Sequence, residues 1–436
     1  MKLSKDKVNY LIFEGGGGKG VTYIGALEAL EELDILRYTE NKIGEKVVTH
    51  LAPDCLKGVA GTSVGSLFAL LVSLGYNSKE IRELLKSNLT DEFLDTIEFG
   101  FIQSIYSQLS EKSFVKDPQL ELSTNFVENK WTSFLQKQEK SFKDLFSYPL
   151  KMIKQANYYI LSMFIKFLLY YESRKIKNEK SYNEPESTFI PTLRDFVQSK
   201  TLKNAIDKIL DKPADALNSL KYEFGFFLGN GAREVIDRLI EKKTGIRNCT
   251  FNQFYNFLGI DLVITSFDLQ AKQVEYLRKG SKWGNICVAD AVRMSISIPL
   301  VFKPVVINMK DKFILPITND VSYAHYFIDG GAANNFPLHV FDNGEDKLNP
   351  NVLGFTLTYK RQYNPFIEEI TFFEYLEDVF LSVLKQTTYL QFKNKEEKEQ
   401  VIELNPEYVK VLDFSFDEIP EDIIQNAKKK TLEYFK

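Results

Sequence analysis

Ser63 stands in Gly61-Thr62-Ser63-Val64-Gly65, a spacing that suits a serine nucleophile. A serine hydroxyl attacks a carbonyl only when it is exposed, oriented and relieved of its proton by a nearby base. Glycines two residues before and after it let the chain turn sharply from a strand into a helix. Such a turn raises the hydroxyl at the helix N-terminus, where the helix dipole favours developing negative charge. The pentapeptide is also compatible with a phosphate-binding turn or a plain chain reversal.

A second group is Glu14-Gly15-Gly16-Gly17-Gly18-Lys19-Gly20, four consecutive glycines beside a lysine. Amides with no side chains in front of them can converge on an oxyanion or on a phosphate. Gly15, Gly17 and Gly20 match the dinucleotide pattern, but no acidic residue closes a second strand at the expected distance. The phosphate-loop pattern needs Ser or Thr after Lys19, and Gly20 follows it instead. The third group is Asp329 in Phe327-Ile328-Asp329-Gly330-Gly331, a carboxylate at a strand end that could serve as a base. Histidine is scarce: His50, His325 and His339 are all there are. His339 could complete a triad in the order Ser–Asp–His, so a histidine base stays open at this point.

The elements that must hold these groups are legible around them. Val8–Phe13 and Leu56–Ala60 read as short buried strands, each followed by glycine and then by an apolar helical stretch, Val21–Leu33 and Val64–Leu74. Strand, tight turn and helix used twice imply a mainly parallel sheet with helices on its faces. Ile260–Phe267, Tyr326–Ile328 and Val352–Thr358 extend the strand pattern, and Ala289–Ser297 reads as a helix. Residues 1–100 and 245–360 therefore form an α/β core. Residues 101–244, poor in glycine until Gly225, read as a helical insertion or lid, and 361–436 as a helical C-terminal segment. Within the insertion, Ala156–Ser173 is the most apolar stretch of the chain. It is short for a membrane span and carries Lys166, so it suits either a helix lying in a membrane interface or a buried helix.

Composition narrows the class. The chain has 436 residues and a net charge of −4, which excludes a general polyanion binder, so nucleic acid is not an expected partner. The 35 Phe and 22 Tyr can fill a core or grip lipid at an interface. Cys55, Cys249 and Cys287 are odd in number and far apart, with neither disulfide nor metal-ligand spacing. The opening MKLSKDKVNYLIF lacks the look of a signal peptide, which suggests cytoplasmic residence or export by another route.

Taken together, these groups resemble the patatin-like phospholipases. That family's signature order is a glycine-rich loop, then Gly-x-Ser-x-Gly, then Asp-Gly-Gly/Ala. Ala291-Val292-Arg293-Met294-Ser295-Ile296-Ser297-Ile298-Pro299 is similar to a fourth, softer element, with Met294 where alanine is usual. The resemblance covers roughly residues 6–95 and 255–360. It implies a three-layer α/β/α core and phospholipase A or lysophospholipase action through an acyl-enzyme. Ser63 would be activated directly by Asp329, with the amides of Gly16, Gly17 and Gly18 as the oxyanion hole and no cofactor or metal. Glu14 departs from the family's usual aspartate at a position before the hole. The implied partner is a phospholipid membrane surface, with peripheral association. Bacterial members with large additions include injected effectors, which adds a host protein activator and action inside a host cell to the expectations. Against these stand two other classes, a catalytically inactive membrane- or partner-binding scaffold and a nucleotide-binding module built on Gly15–Gly20.

Overall fold

A computed structural model describes residues 2–86, 219–309, 313–314, 324–342, 344, 347–358, 382–407, 409 and 420–436. The chain divides into two compact units, Met1–Ile97 with Asp195–Ala205 and Glu223–Lys436, and Glu98–Arg194 with Ile206–Tyr222. The elements that build the site belong to the first. Ala156–Ser173 and residues 101–218 of the 101–244 insertion lie outside the described residues.

In chain order the strands are β1 (Tyr10–Phe13), β2 (Tyr38–Ile43), β3 (Lys46–Leu51), β4 (Gly58–Thr62), β5 (Gly225–Phe227), β6 (Asp261–Asp268), β7 (Gln273–Leu277), β8 (Leu300–Phe302), β9 (Val305–Asn308), β10 (Phe313–Ile314), β11 (Ala324–Asp329), β12 (Val352–Leu357) and β13 (Val401–Leu404). The helices are α1 (Tyr23–Glu32), α2 (Val64–Ser73), α3 (Ser78–Lys86), α4 (Asn230–Thr244), α5 (Phe251–Leu258), α6 (Val288–Ser295), α7 (382–389) and α8 (Glu421–Tyr434).

One sheet dominates the described residues. Its order is β10-β9-β11-β6-β4-β1-β12-β13, with β7 also on β6. Its central run, β6-β4-β1-β12-β13, is parallel. β11, β9, β10 and β7 join antiparallel on one side. Parallel strands covered on both faces read as unbroken apolar runs, and β1 (YLIF) and β4 (GVAGT) do. α2 is apolar all round (VGSLFALLVS), and nine of its ten residues are buried, as its lack of a polar face requires.

The expected core elements appear within a residue or two of their predicted bounds. The C-terminal segment, expected to be helical, also supplies β13, which pairs in register with β12. Its last helix, α8, lies close against α1. A side-chain carbon on Gly25 would stand 2.0 Å from the Ile424 carbonyl oxygen, so only glycine allows that approach. Ile423, Ile424 and Ala427 are buried there.

Candidate active site

Ser63 sits at the junction of β4 and α2 with φ 53° and ψ −129°, a left-handed conformation a non-glycine residue holds only under constraint. The constraint comes from how tightly strand and helix meet. A side-chain carbon on Gly61 would lie 2.1 Å from the Gly65 carbonyl oxygen, and one on Gly65 would lie 2.3 Å from that of Phe13. Both glycines are therefore steric requirements of the elbow. Its backbone is also tied from outside. The Ser63 N–H donates to Ser295 Oγ at 2.8 Å, and Ser295 Oγ donates to the Thr265 carbonyl at 2.6 Å. Ser295 comes from α6, the helix of the softer fourth element.

The glycine loop follows β1. Gly17–Thr22 forms a 3₁₀ turn, in which the Lys19 N–H bonds the Gly16 carbonyl at 3.3 Å. The first N–H groups of such a turn, on Gly17 and Gly18, have no acceptor within it. Glu14, just before the loop, is 1% exposed. It accepts from Thr388 Oγ1 at 2.5 Å, from the Leu357 N–H at 2.5 Å and from Asn335 Nδ2 at 3.1 Å. Burial pushes its carboxyl up to about 7, and those three donors limit the rise.

Asp329 ends β11. One strand, β6, lies between it and the elbow: Asp329 pairs with Ser266, while Thr62 pairs with Thr265. The carboxyl is 1% exposed and accepts from the Gly331 N–H at 2.8 Å, with the Ser63 side chain beside it in the same crevice. Burial raises it to about 7, against the pull of the Ser63 side chain and the Gly331 N–H. Ser63, Asp329, Gly16 and Gly17 line one narrow, closely packed crevice. Ile298, Asn335 and Leu384 complete its wall, and Gly18 lies one step further into the turn.

The histidines are engaged elsewhere. His339 pairs with Asp342 at 2.7 Å and with the Gln391 carbonyl at 2.8 Å. His325 lies 2.6 Å from Asp268, and His50 bonds the Lys243 carbonyl at 2.6 Å. None of the three lines the crevice. Among the described residues no cluster of three or more His, Cys, Asp or Glu side chains is placed to hold a metal ion. No helix among them is long and apolar enough to cross a membrane.

Sequence reasoning placed Ser63, Asp329 and the glycines in one site but passed over Asn335, Leu384 and Thr388. Asn335 lies six residues after Asp329 in an unremarked Asn-Asn-Phe-Pro run. Leu384 and Thr388 sit in α7, within a segment that carried no motif. The role of Glu14 was likewise not foreseen. It anchors the loop's base to β12 and α7.

A strand–serine–helix elbow, a buried carboxyl and a glycine-rich loop thus meet on a mostly parallel sheet of an α/β protein. The chain belongs to the patatin-like phospholipase family, whose model matches residues 11–342. Membership supports lipid acyl hydrolysis in the broad sense. Uncharacterized protein R571 of Acanthamoeba polyphaga mimivirus is 29% identical over 125 residues, which cover 29% of this chain and 35% of that protein. Uncharacterized protein L620 of the same virus is 21% identical over 411 residues, covering 92% of this chain and 82% of that one. The chain thus aligns with only about a third of R571. Among solved structures, VipD from Legionella pneumophila is similar with a TM-score of 0.41 at 18% identity, covering 98% of this chain and 67% of that one. ExoU in its complex with SpcU, from the type III secretion system of Pseudomonas aeruginosa, gives 0.34 at 14%, covering 99% and 52%.

Proposed function

We propose that the chain hydrolyses fatty-acyl esters of phospholipids or lysophospholipids, with Ser63 as nucleophile and Asp329 as its base. The observation that carries this reading is the meeting of Ser63, at a strained elbow, and the buried Asp329 carboxyl in one crevice beside the glycine loop. In the forward step Asp329 takes the Ser63 Oγ proton as Oγ attacks the acyl carbon. The amides of the Gly16–Gly18 stretch would receive the oxyanion, a service worth about 10²–10³ in rate per donor. Collapse expels the lysophospholipid or glycerophosphoryl alcohol, which leaves with the proton from Asp329 and so returns the carboxylate. Water then hydrolyses the acyl-enzyme. A carboxyl held near 7 is well matched to proton transfer at neutral pH.

Family membership supports a lipid ester as the substrate of this reading. The partner in this reading is a phospholipid surface, met peripherally. The crevice is closely walled, with Ile298, Asn335 and Leu384 packed around Ser63 and Asp329, and leaves no space for a ligand as it stands. An acyl chain therefore needs Leu384 or its neighbours to shift, which gives an activating surface or a host protein something to do. Action inside a host cell belongs to the same reading.

The test is mass spectrometry of mixed phospholipid liposomes incubated with the protein, with and without eukaryotic cytosol, alongside labelling by a fluorophosphonate probe. The expected result is release of fatty acid and labelling of the native chain but not of Ser63→Ala. Absence of both labelling and lipid turnover in either condition would leave the inactive-scaffold reading in its place.

A further inference from the structure

We propose that Asn335 is a catalytic residue of the second half-reaction, its Oδ1 holding the water that hydrolyses the acyl group on Ser63. The inference rests on the Ser63–Asp329 reading and extends it to deacylation.

Asn335 is fully buried, and its amide is polarised into two uses. Nδ2 donates to Glu14 Oε1 and to the Gly15 carbonyl, both at 3.1 Å, and lies 3.4 Å from Thr388 Oγ1. The opposite orientation would turn Oδ1 onto a carboxylate and a carbonyl, so the surrounding acceptors fix which atom faces where. Oδ1 is thereby turned to the other side. Among the described residues it is a buried acceptor with no hydrogen-bond partner, on a residue that lines the crevice.

Its position relative to the reacting groups is narrow. A side-chain carbon on Gly15 would lie 2.4 Å from Asn335 Oδ1 and 3.1 Å from Ser63 Cβ. One on Gly331 would lie 2.9 Å from Asn335 Oδ1 and 3.1 Å from Asp329 Oδ1. The free acceptor, the nucleophile and the base thus crowd the same two glycines, at neither of which a side-chain carbon fits, and the water enters as the acylated crevice opens. A buried acceptor left unpaired costs stability, and such groups in a folded protein call for a reason, a catalytic role among them.

An incoming water has two hydrogens. In deacylation one passes to Asp329 as the water oxygen bonds the acyl carbon, and the other is held by Asn335 Oδ1. That pair of acceptors points the water's lone pair at the carbonyl. The tetrahedral adduct then breaks its bond to Ser63 Oγ, which recovers the proton from Asp329, and the fatty acid departs. In the acylation step no water is present to be oriented, so Oδ1 contributes less there. Asn335 also braces Glu14, so loss of its side chain has a structural component that must be separated from this one.

The experiment follows acylation and deacylation of the full chain separately, using rapid mixing with a p-nitrophenyl ester and intact-mass detection of the acyl adduct. Asn335→Ala is compared with Thr388→Val, which loosens the same Glu14 network without removing an atom from the crevice wall. The expected result for Asn335→Ala is an acyl adduct that accumulates on Ser63, with deacylation slowed about 10-fold more than acylation. Thr388→Val slows the two steps in proportion. If Asn335→Ala does not fold, Asn335→Ser, whose shorter hydroxyl falls back from the water, is expected to give the same selective slowing. Parallel slowing of both steps in the Asn335 variant, with an adduct still seen on Ser63, would overturn the Asn335 assignment alone. No acyl adduct on Ser63 in any form of the protein would overturn the Ser63 reading and this one together.

Discussion

The backbone N–H of Ser63 is held by the side-chain oxygen of Ser295, 232 positions away, at 2.8 Å. Ser295 Oγ in turn spends its own hydrogen on the Thr265 carbonyl of β6. One hydroxyl therefore ties the N–H of the strained residue to the neighbouring strand, just past the point where the β4–β6 pairing ends at Thr62. Ser295→Ala would leave the buried Ser63 N–H without an acceptor, at a cost of about 1–3 kcal/mol. The thermal midpoint is expected to fall, and kcat to fall further than KM rises, because the nucleophile loses its set. Ser295→Thr keeps the hydroxyl and should recover most of kcat if the added methyl is accommodated.

Ser63→Ala and Asp329→Asn are each expected to lower phospholipid hydrolysis by at least about 10³-fold, the scale on which removal of a nucleophile or its base acts. His339→Ala should retain activity, since its ring is occupied by Asp342 and the Gln391 carbonyl away from the crevice. A collapse of activity in the histidine variant, measured as fatty-acid release, would restore the triad reading.

Activity should rise with pH through about 7, the value to which burial lifts Asp329. Below it the carboxyl is protonated and cannot take the proton of Ser63, so kcat/KM falls on the acid side. Glu14 is also raised to about 7, by its own burial. Glu14→Gln distinguishes the two: the overall rate drops, but the acid limb keeps its midpoint if Asp329 is the group being read.

The same burial makes Asp329 a liability for folding. Its folded value lies above the ordinary 3.8, so between about 4 and about 7 the folded protein keeps a proton that the unfolded chain has released. Stability contributed at low pH is therefore lost as pH rises through that window. Asp329→Asn removes the ionisation while its side-chain oxygen can still accept from the Gly331 N–H. The variant, though inactive, is expected to melt higher than the parent at pH 8, with a smaller gain at pH 4, in calorimetry.

Much of the core was legible because its signals are local. Glycine–serine–glycine between an apolar strand and an apolar helix, and four glycines after a strand, are chemistry written within a few residues. Their steric reasons, the 2.1 Å and 2.3 Å approaches at Gly61 and Gly65, lie inside the same strand–helix turn or across one strand. β13 was not legible: four residues, VIEL, become a strand only because β12 offers them an edge. A short apolar run carries no periodicity that separates strand from helix.

For Ser63 itself, the sequence by itself determined its residue type, its turn and the helix behind it. It also supplied Asp329 as the one strand-end carboxylate worth pairing with it. Only the tertiary structure decided what the pair is set among. Ser295 fixes the elbow from 232 positions away. Asn335 joins Glu14 across 321, and Thr388 joins the same carboxylate across 374. Single polar side chains such as these have no pattern along the chain, because a hydrogen bond needs one donor and one acceptor and imposes no spacing on their neighbours. Their function exists only once the sheet brings the strand ends together and burial removes the water that would otherwise satisfy them.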